Sequence, residues 1–211
     1  MRIVFEKRKA FSRKAVVLVP LVSFMISLVL TAILLAIFNT NPFETFAAMY
    51  MGAFGSWPNF TETLVKATPL MLTGLGVLIA FRLKFWNIGA EGQLTSGGIA
   101  ATWVVLFWSP GLPDWTVLPM AIIVGMLAGA LWAGIPAFLK VRLKVDEVLT
   151  TLMLNYVAIL FAEHLYYGPW RDPKGFGFPG TPPFPDFAWL PRIAGRAHMG
   201  LIFAIVLAVV I

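Results

Sequence analysis

The 211-residue sequence contains no cysteine and only two histidines, His164 and His198. Disulfides, thiolate metal sites and cysteine nucleophiles are thereby excluded. The histidines stand 34 positions apart with no His-Glu-x-x-His pattern, so a metal site is not expected. Charge is scarce as well: 12% of residues are Asp, Glu, Lys or Arg, while 59% are hydrophobic. A soluble domain carries about a quarter charged residues, which argues against an aqueous fold. A phosphate-cradling Gly-x-x-x-x-Gly-Lys-Ser/Thr is missing, so the chain does not bind and hydrolyse ATP by that route. No Ser/His/Asp arrangement suggests catalysis. The basic residues flank apolar runs rather than forming a patch, which leaves nucleic-acid binding without support.

What the sequence does have is long apolar segments. Ala15–Phe38 is 24 residues without a charge, preceded by Arg2, Lys7, Arg8, Lys9, Arg13 and Lys14. The apolar core of a cleaved secretion signal runs only about 7–15 residues, so this segment reads as a retained first transmembrane helix. Leu64–Phe81, Asn87–Trp108, Val117–Leu139 and Val148–Tyr167 follow as further crossings. Met199–Ile211 is apolar too, but its 13 residues fall short of a bilayer of about 30 Å. The expected fold is therefore all-α, a polytopic transmembrane helical bundle of about six spans, with residues 1–211 stopping within the sixth. No repeat and no low-complexity tract stands out.

Placing the N-terminus in the cytoplasm puts eleven basic residues in the inner segments 1–14, 82–86 and 140–147, against four in the outer ones. That asymmetry fits the positive-inside rule. Trp57, Trp86, Trp108, Trp115 and Trp170 fall near the expected membrane ends, where tryptophan collects. On the outer side, Phe43, Phe46, Ala47, Tyr50, Met51 and Phe54 recur at helical spacing, which suits an interfacial or re-entrant helix. The outer loop Gly168–His198 holds seven prolines and five glycines, so it is not helical throughout. It is either a lid over helix ends or a surface for a partner.

Gly125, Gly129, Ala133 and Ala137 form an i, i+4 line of small residues, the pattern that lets a second helix approach closely within lipid. Thr151, Asn155, Ala158 and Ala162 share one face of the fifth span. There Asn155 suits either an interhelical hydrogen bond or a place on a polar pathway. Asp146 and Glu147 precede that helix, as an N-cap and a dipole-facing acid would. Lys66 and Glu62 suit an i, i+4 pair. The most informative stretch is Phe85-Trp86-Asn87-Ile88-Gly89-Ala90-Glu91-Gly92-Gln93, which packs an acid, two amides and two glycines at the mouth of an apolar segment. A helix start explains Asn87 as a cap and Glu91 in the first turn. A helix beginning inside a water-lined cavity explains the whole run, as in transporters built on broken helices. On that reading Asn87, Glu91, Gln93 and Asn155 line the solute pathway. Phe85 and Trp86 are candidates for stacking on a base or sugar ring, and Trp86 also suits the inner interface.

The stretch Ala80–Gln93, with its Asn-Ile-Gly-Ala-Glu-Gly-Gln run, resembles a signature of permease subunits of ATP-binding-cassette importers, in the branch serving nucleosides and simple sugars. Val145–Tyr156 resembles the second block of the same superfamily of branched-chain amino acid/ribose-type permeases, and Thr68-Pro69-Leu70 with Thr73-Gly74-Leu75 also fits. The resemblance implies a single transmembrane permease domain over 1–211, in a bacterial inner membrane, moving a nucleoside or sugar inward by alternating access. It implies two cytoplasmic ATPase subunits holding ATP and Mg²⁺, an external solute-binding protein and a second permease subunit. No cofactor is expected in this chain. The coupling loop that docks on the ATPase is expected beyond the span that starts near Met199. An ion-coupled secondary transporter is the alternative, with Glu91 its one deep acid.

Overall fold

The computed structural model describes residues 13–211, so Arg2, Lys7, Arg8 and Lys9 of the basic N-terminal segment lie outside the described residues. The chain divides into two compact units that part between Phe60 and Thr61.

In the first unit, helix α1 (Arg13–Ile37) carries apolar side chains that are mostly exposed all round, as a helix surrounded by lipid would. Asn41 then caps α2 (Pro42–Phe54): its Oδ1 accepts the Phe43 N–H at 3.0 Å, and its Nδ2 donates to Glu44 at 2.9 Å. Pro42 at the first helical position costs no hydrogen bond there. None of the α2 side chains is buried. The aromatic spacing seen in the sequence thus becomes a short helix, whose Tyr50 and Phe54 rings lie 5.5 Å apart.

The second unit is a helical bundle built around α4. Helix α3 (Trp57–Arg82) begins in the first unit and runs through the second, starting seven residues before the expected Leu64. Its turn closes on Lys84 at φ 57°, with the Phe85 N–H on the Ala80 carbonyl at 3.0 Å. Helix α4 (Ala90–Trp103) starts three residues later than expected and passes into a π-helical turn, Val104–Trp108. Val104 and Val105 of that turn are buried with Val117 and Ala121 of α5 (Asp114–Phe138), forming the apolar core. A second π-helical turn, Leu139–Leu143, ends on Lys144, again at φ 57°. Helix α6 (Glu147–Tyr167) then starts from Asp146, whose Oδ1 accepts the Leu149 N–H at 2.9 Å. Four helices (α1, α3, α5 with its π turn, and α6) are long and apolar enough to cross a bilayer.

The two basic turns meet at one end of the bundle. Lys140 Nζ pairs with Glu147, lies 3.5 Å from the Lys84 carbonyl and sits 5.1 Å over the Phe85 ring. The bonds of this lysine staple the α3–α4 connection to the α5–α6 connection. Lys140→Met is expected to lower the stability of detergent-solubilised protein by about 1–2 kcal/mol, the worth of a part-exposed ion pair and a cation–π contact. Thermal unfolding at low and high salt checks this, because the loss is expected to shrink as salt screens the pair.

At the opposite end, the loop after α6 contains a single turn of 3₁₀ helix at Asp186–Ala188 and a hairpin, β1 (Arg192–Ala194) with β2 (Ala197–His198). Gly195 turns the hairpin at φ 55°, and any Cβ there would lie 2.8 Å from Thr61. Beside it, Arg196 Nε stands 3.2 Å from Glu62, which also has Lys66 at 3.9 Å. The chain then descends along α3 to Gly200, where a Cβ would lie 3.3 Å from Thr68. Seven residues of helix separate Thr61 from Thr68, a drop of about 10 Å. Helix α7 (Gly200–Val210) therefore begins about two turns further along α3 than the hairpin's contact at Thr61, and Arg82 donates to the Ile211 carbonyl at 3.1 Å. Its 11 residues are apolar but shorter than the four helices long enough to cross a bilayer.

Candidate site at the start of α4

Asn87 folds the chain back on itself. Its Oδ1 accepts the Gly89 N–H at 2.9 Å, an Asx turn that sets the first residues of α4. The same oxygen accepts from Gln93 Nε2 at 3.1 Å, while Asn87 Nδ2 donates to Gln93 Oε1 at 3.2 Å. The two amides thus satisfy each other across the first helical turn. Asn87 is buried.

Helix α6 supplies the other half. Asn155 Oδ1 accepts the Gly92 N–H at 2.7 Å, and its Nδ2 donates to the Ile88 carbonyl at 2.9 Å. Thr151 Oγ1 accepts the Ile88 N–H at 3.3 Å and donates to the Glu147 carbonyl at 2.7 Å. Both peptide groups of Ile88 are therefore held from α6, as is one of the N–H groups that a helix start leaves without an intrahelical partner. The approach is close because Gly92 lacks a side chain: a Cβ there would fall 2.9 Å from the Asn155 Cα. Asn155 and Thr151 are both buried.

On its other side α4 packs against α5. A Cβ on Gly125 would lie 3.1 Å from the Gly97 carbonyl, and one on Gly129 would lie 3.1 Å from the Gln93 carbonyl. Ser96 Oγ donates to the Ala128 carbonyl at 3.5 Å. Ala133 and Ala137 continue the small-residue line along α5, half-buried.

The structure thus brings Asn87, Gln93 and Asn155 together and engages each in hydrogen bonds within the chain. Glu91 stands apart. It is exposed, its carboxylate has no hydrogen bond or ion pair among the described residues, and only its carbonyl is taken, by Thr95 Oγ1 at 2.8 Å. Phe85 has the Lys140 ammonium over its ring, and Trp86 packs on Phe81 with ring centroids 5.2 Å apart. Neither aromatic is gathered to the amide cluster. Thr151 gains a role that sequence reasoning recorded only as a position on the Asn155 face. The backbone of Ile88 was not visible as a partner, because peptide groups carry no signature of their own.

Residues 59–211 match the family described as branched-chain amino acid transport system / permease component. The chain is 36% identical over 181 residues to the glucose ABC transporter permease protein TsgB13 of Haloferax volcanii, covering 86% of this chain and 47% of that protein. It is 35% identical over 151 residues to the nucleoside ABC transporter permease protein NupB of Lactococcus lactis, covering 72% of this chain and 41% of the relative. With the guanosine ABC transporter permease protein NupP of Bacillus subtilis it shares 32% identity over 203 residues, 92% of this chain and 56% of the relative. The chain thus spans about half the length of the curated relatives it matches. No solved structure matches it.

Proposed function

We propose, from the premise that this chain belongs to the family of branched-chain amino acid transport system permease components, that it is part of the membrane-spanning subunit of an ATP-binding-cassette importer. The solute is a nucleoside or a simple sugar, carried inward by alternating access. Glucose, nucleosides and guanosine are the solutes named for the relatives. Those relatives are named ABC transporter permease proteins, which weighs against the ion-coupled alternative. ATP and Mg²⁺ belong to cytoplasmic partner ATPases, a solute-binding protein delivers cargo to the outer face across Gly168–His198, and a second permease subunit completes the conduit. The N-terminus is read as cytoplasmic from its basic residues, and the basic turns at Lys84 and Lys144 are read as cytoplasmic by the same rule.

The observation that carries the reading is the contrast within the α4 start. Asn87, Gln93, Thr151 and Asn155 spend their polar groups on fixing the helix, which leaves Glu91 as the group offered to water or solute. A carboxylate held on a rigid helix start can accept hydroxyl or N–H donors from a neutral polar solute. Glu91→Gln is expected to leave assembly intact and to reduce uptake by about tenfold, the loss of roughly 1.4 kcal/mol from a charge-assisted hydrogen bond. Uptake of labelled guanosine or glucose into vesicles holding the full permease and its ATPases tests both points. Transport driven by an ion gradient without the ATPase would overturn the importer reading, and wild-type rates in Glu91→Gln would remove Glu91 from the pathway.

A further inference from the structure

A cavity of about 190 Å³ opens between the outer halves of α4 and α6, beneath the loop that follows α6. We infer that this cavity binds the neutral, hydroxyl-bearing ring of the transported solute, a deepening of the importer reading on which it rests.

The α4 wall is Thr95, Gly98, Ile99 and Thr102, and Tyr166 stands opposite on α6, with Trp170 and Thr181 contributed by the loop. Glu91, Thr95, Gly98 and Thr102 are spaced i, i+4, i+7 and i+11, so they fall on one stripe of the helix. That stripe runs from the exposed carboxylate at the helix start to the cavity, about 16 Å along the axis. Among the described residues, the hydroxyls of Thr102, Thr181 and Tyr166 have no hydrogen-bond partner, although Thr102, Thr181 and Tyr166 are all half-buried. Three free hydroxyls around one space are donors and acceptors together, the chemistry that matches a sugar's own hydroxyl groups.

The lining carries no charged side chain. A free amino acid would bring an ammonium and a carboxylate into this space with no counter-charge, which is costly away from water. A neutral polyol brings neither. The space is also smaller than the roughly 300–1,000 Å³ of pockets that enclose drug-sized ligands. It suits a single ring, a hexose or the ribose of a nucleoside, with the aromatic faces of Tyr166 and Trp170 available to the ring's apolar side.

The loop wall is held in place rather than loosely draped. The Trp170 N–H donates to the Leu165 carbonyl at 2.8 Å, and its ring packs on Phe107 with centroids 5.8 Å apart. The Gly180 N–H reaches the Tyr166 carbonyl at 3.3 Å, and the Gly180 carbonyl accepts the Asp172 N–H at 2.8 Å. Thr181 is thereby carried to the end of α6, within reach of whatever enters from outside.

The test uses single cysteines in a cysteine-free background of the full permease with its partner subunits, in membrane vesicles. Thr102→Cys and Thr181→Cys report the cavity from its two walls, and Phe176→Cys, on a fully exposed loop position, is the control. Saturating guanosine or glucose is expected to slow maleimide labelling of T102C and T181C several-fold and to leave F176C unchanged. Leucine is expected to protect none of them. Uptake of a neutral solute with unprotected labelling at both cavity positions would overturn the cavity assignment and leave the importer reading standing. Uptake of leucine with no uptake of either neutral solute would overturn the importer reading itself.

Discussion

Gly92→Ala is expected to unseat α4 from α6 and to abolish both stable assembly and uptake. A Cβ at this position would lie 2.8 Å from Asn155 Oδ1, 2.9 Å from the Asn155 Cα and 3.1 Å from the Leu154 carbonyl. Two of those three neighbours are backbone atoms, so no side-chain rotation relieves the clash and the helices must separate. Overpacking of this kind costs about 1–3 kcal/mol. Separation also stretches the 2.7 Å bond from the Gly92 N–H to Asn155, so a second loss is added. The control is Gly134→Ala on α5, where a Cβ meets nothing within 4 Å. There the substitution is expected to be neutral or to gain up to about 1 kcal/mol from helix propensity. Thermal unfolding in detergent compares the two variants directly. An unchanged melting temperature for Gly92→Ala would show that α4 and α6 are not in contact at this point.

The sequence made the helical character of the fold plain, because hydropathy and span length follow from the lack of water in the bilayer. It also showed which residues are polar where polarity is costly. It was silent on what those polar groups bond to. Asn155 could be assigned an interhelical hydrogen bond, yet its partners are the Ile88 carbonyl and the Gly92 N–H, and a peptide group looks the same at every residue. Asn87 and Gln93 are six apart, outside the three-residue spacing of a capping box, so their mutual pairing had no pattern to announce it. The ion pair of Glu62 with Lys66 was legible at i, i+4, whereas Arg196 reaches the same carboxylate only once the hairpin has folded down beside α3.

The helix ends show the same limit in another form. Arg82-Leu83-Lys84 and Arg142-Leu143-Lys144 repeat one tripeptide, and both lysines close their helices at φ 57°. Glycine is the usual residue at that position, so lysine there gives no warning of a left-handed turn. Three residues are too few to mark a repeat by themselves. The two π-helical turns were equally hidden, since one extra residue per turn shifts the hydrophobic phase too little to separate from an ordinary helix over so short a stretch. Met199–Ile211 is too short to cross by residue count, and the structure likewise leaves it outside the bilayer-length helices; its starting depth, with Gly195 and Gly200 against Thr61 and Thr68, was not legible.

Asn155→Ala is expected to lower stability by about 1–3 kcal/mol, two interhelical hydrogen bonds at the modest values measured within membranes. The Gly92 N–H and the Ile88 carbonyl both lose their α6 partner in it. Asn155→Asp is expected to be worse, although it keeps the acceptor. It sets a carboxylate oxygen against the Ile88 carbonyl, now 2.9 Å from the amide nitrogen, where the protein offers no counter-charge. Thr151→Val removes the third bond from α6 to the start of α4, at the Ile88 N–H next to the Asn155 contacts, so its cost should not add simply to that of Asn155→Ala. These variants also decide what Asn155 is for. A clamp predicts that uptake falls in step with the melting temperature across Asn155→Ala, Thr151→Val and the double variant. Full loss of uptake in Asn155→Ala at an unchanged melting temperature would instead place the amide on the solute's path, with the α4–α6 bonds incidental.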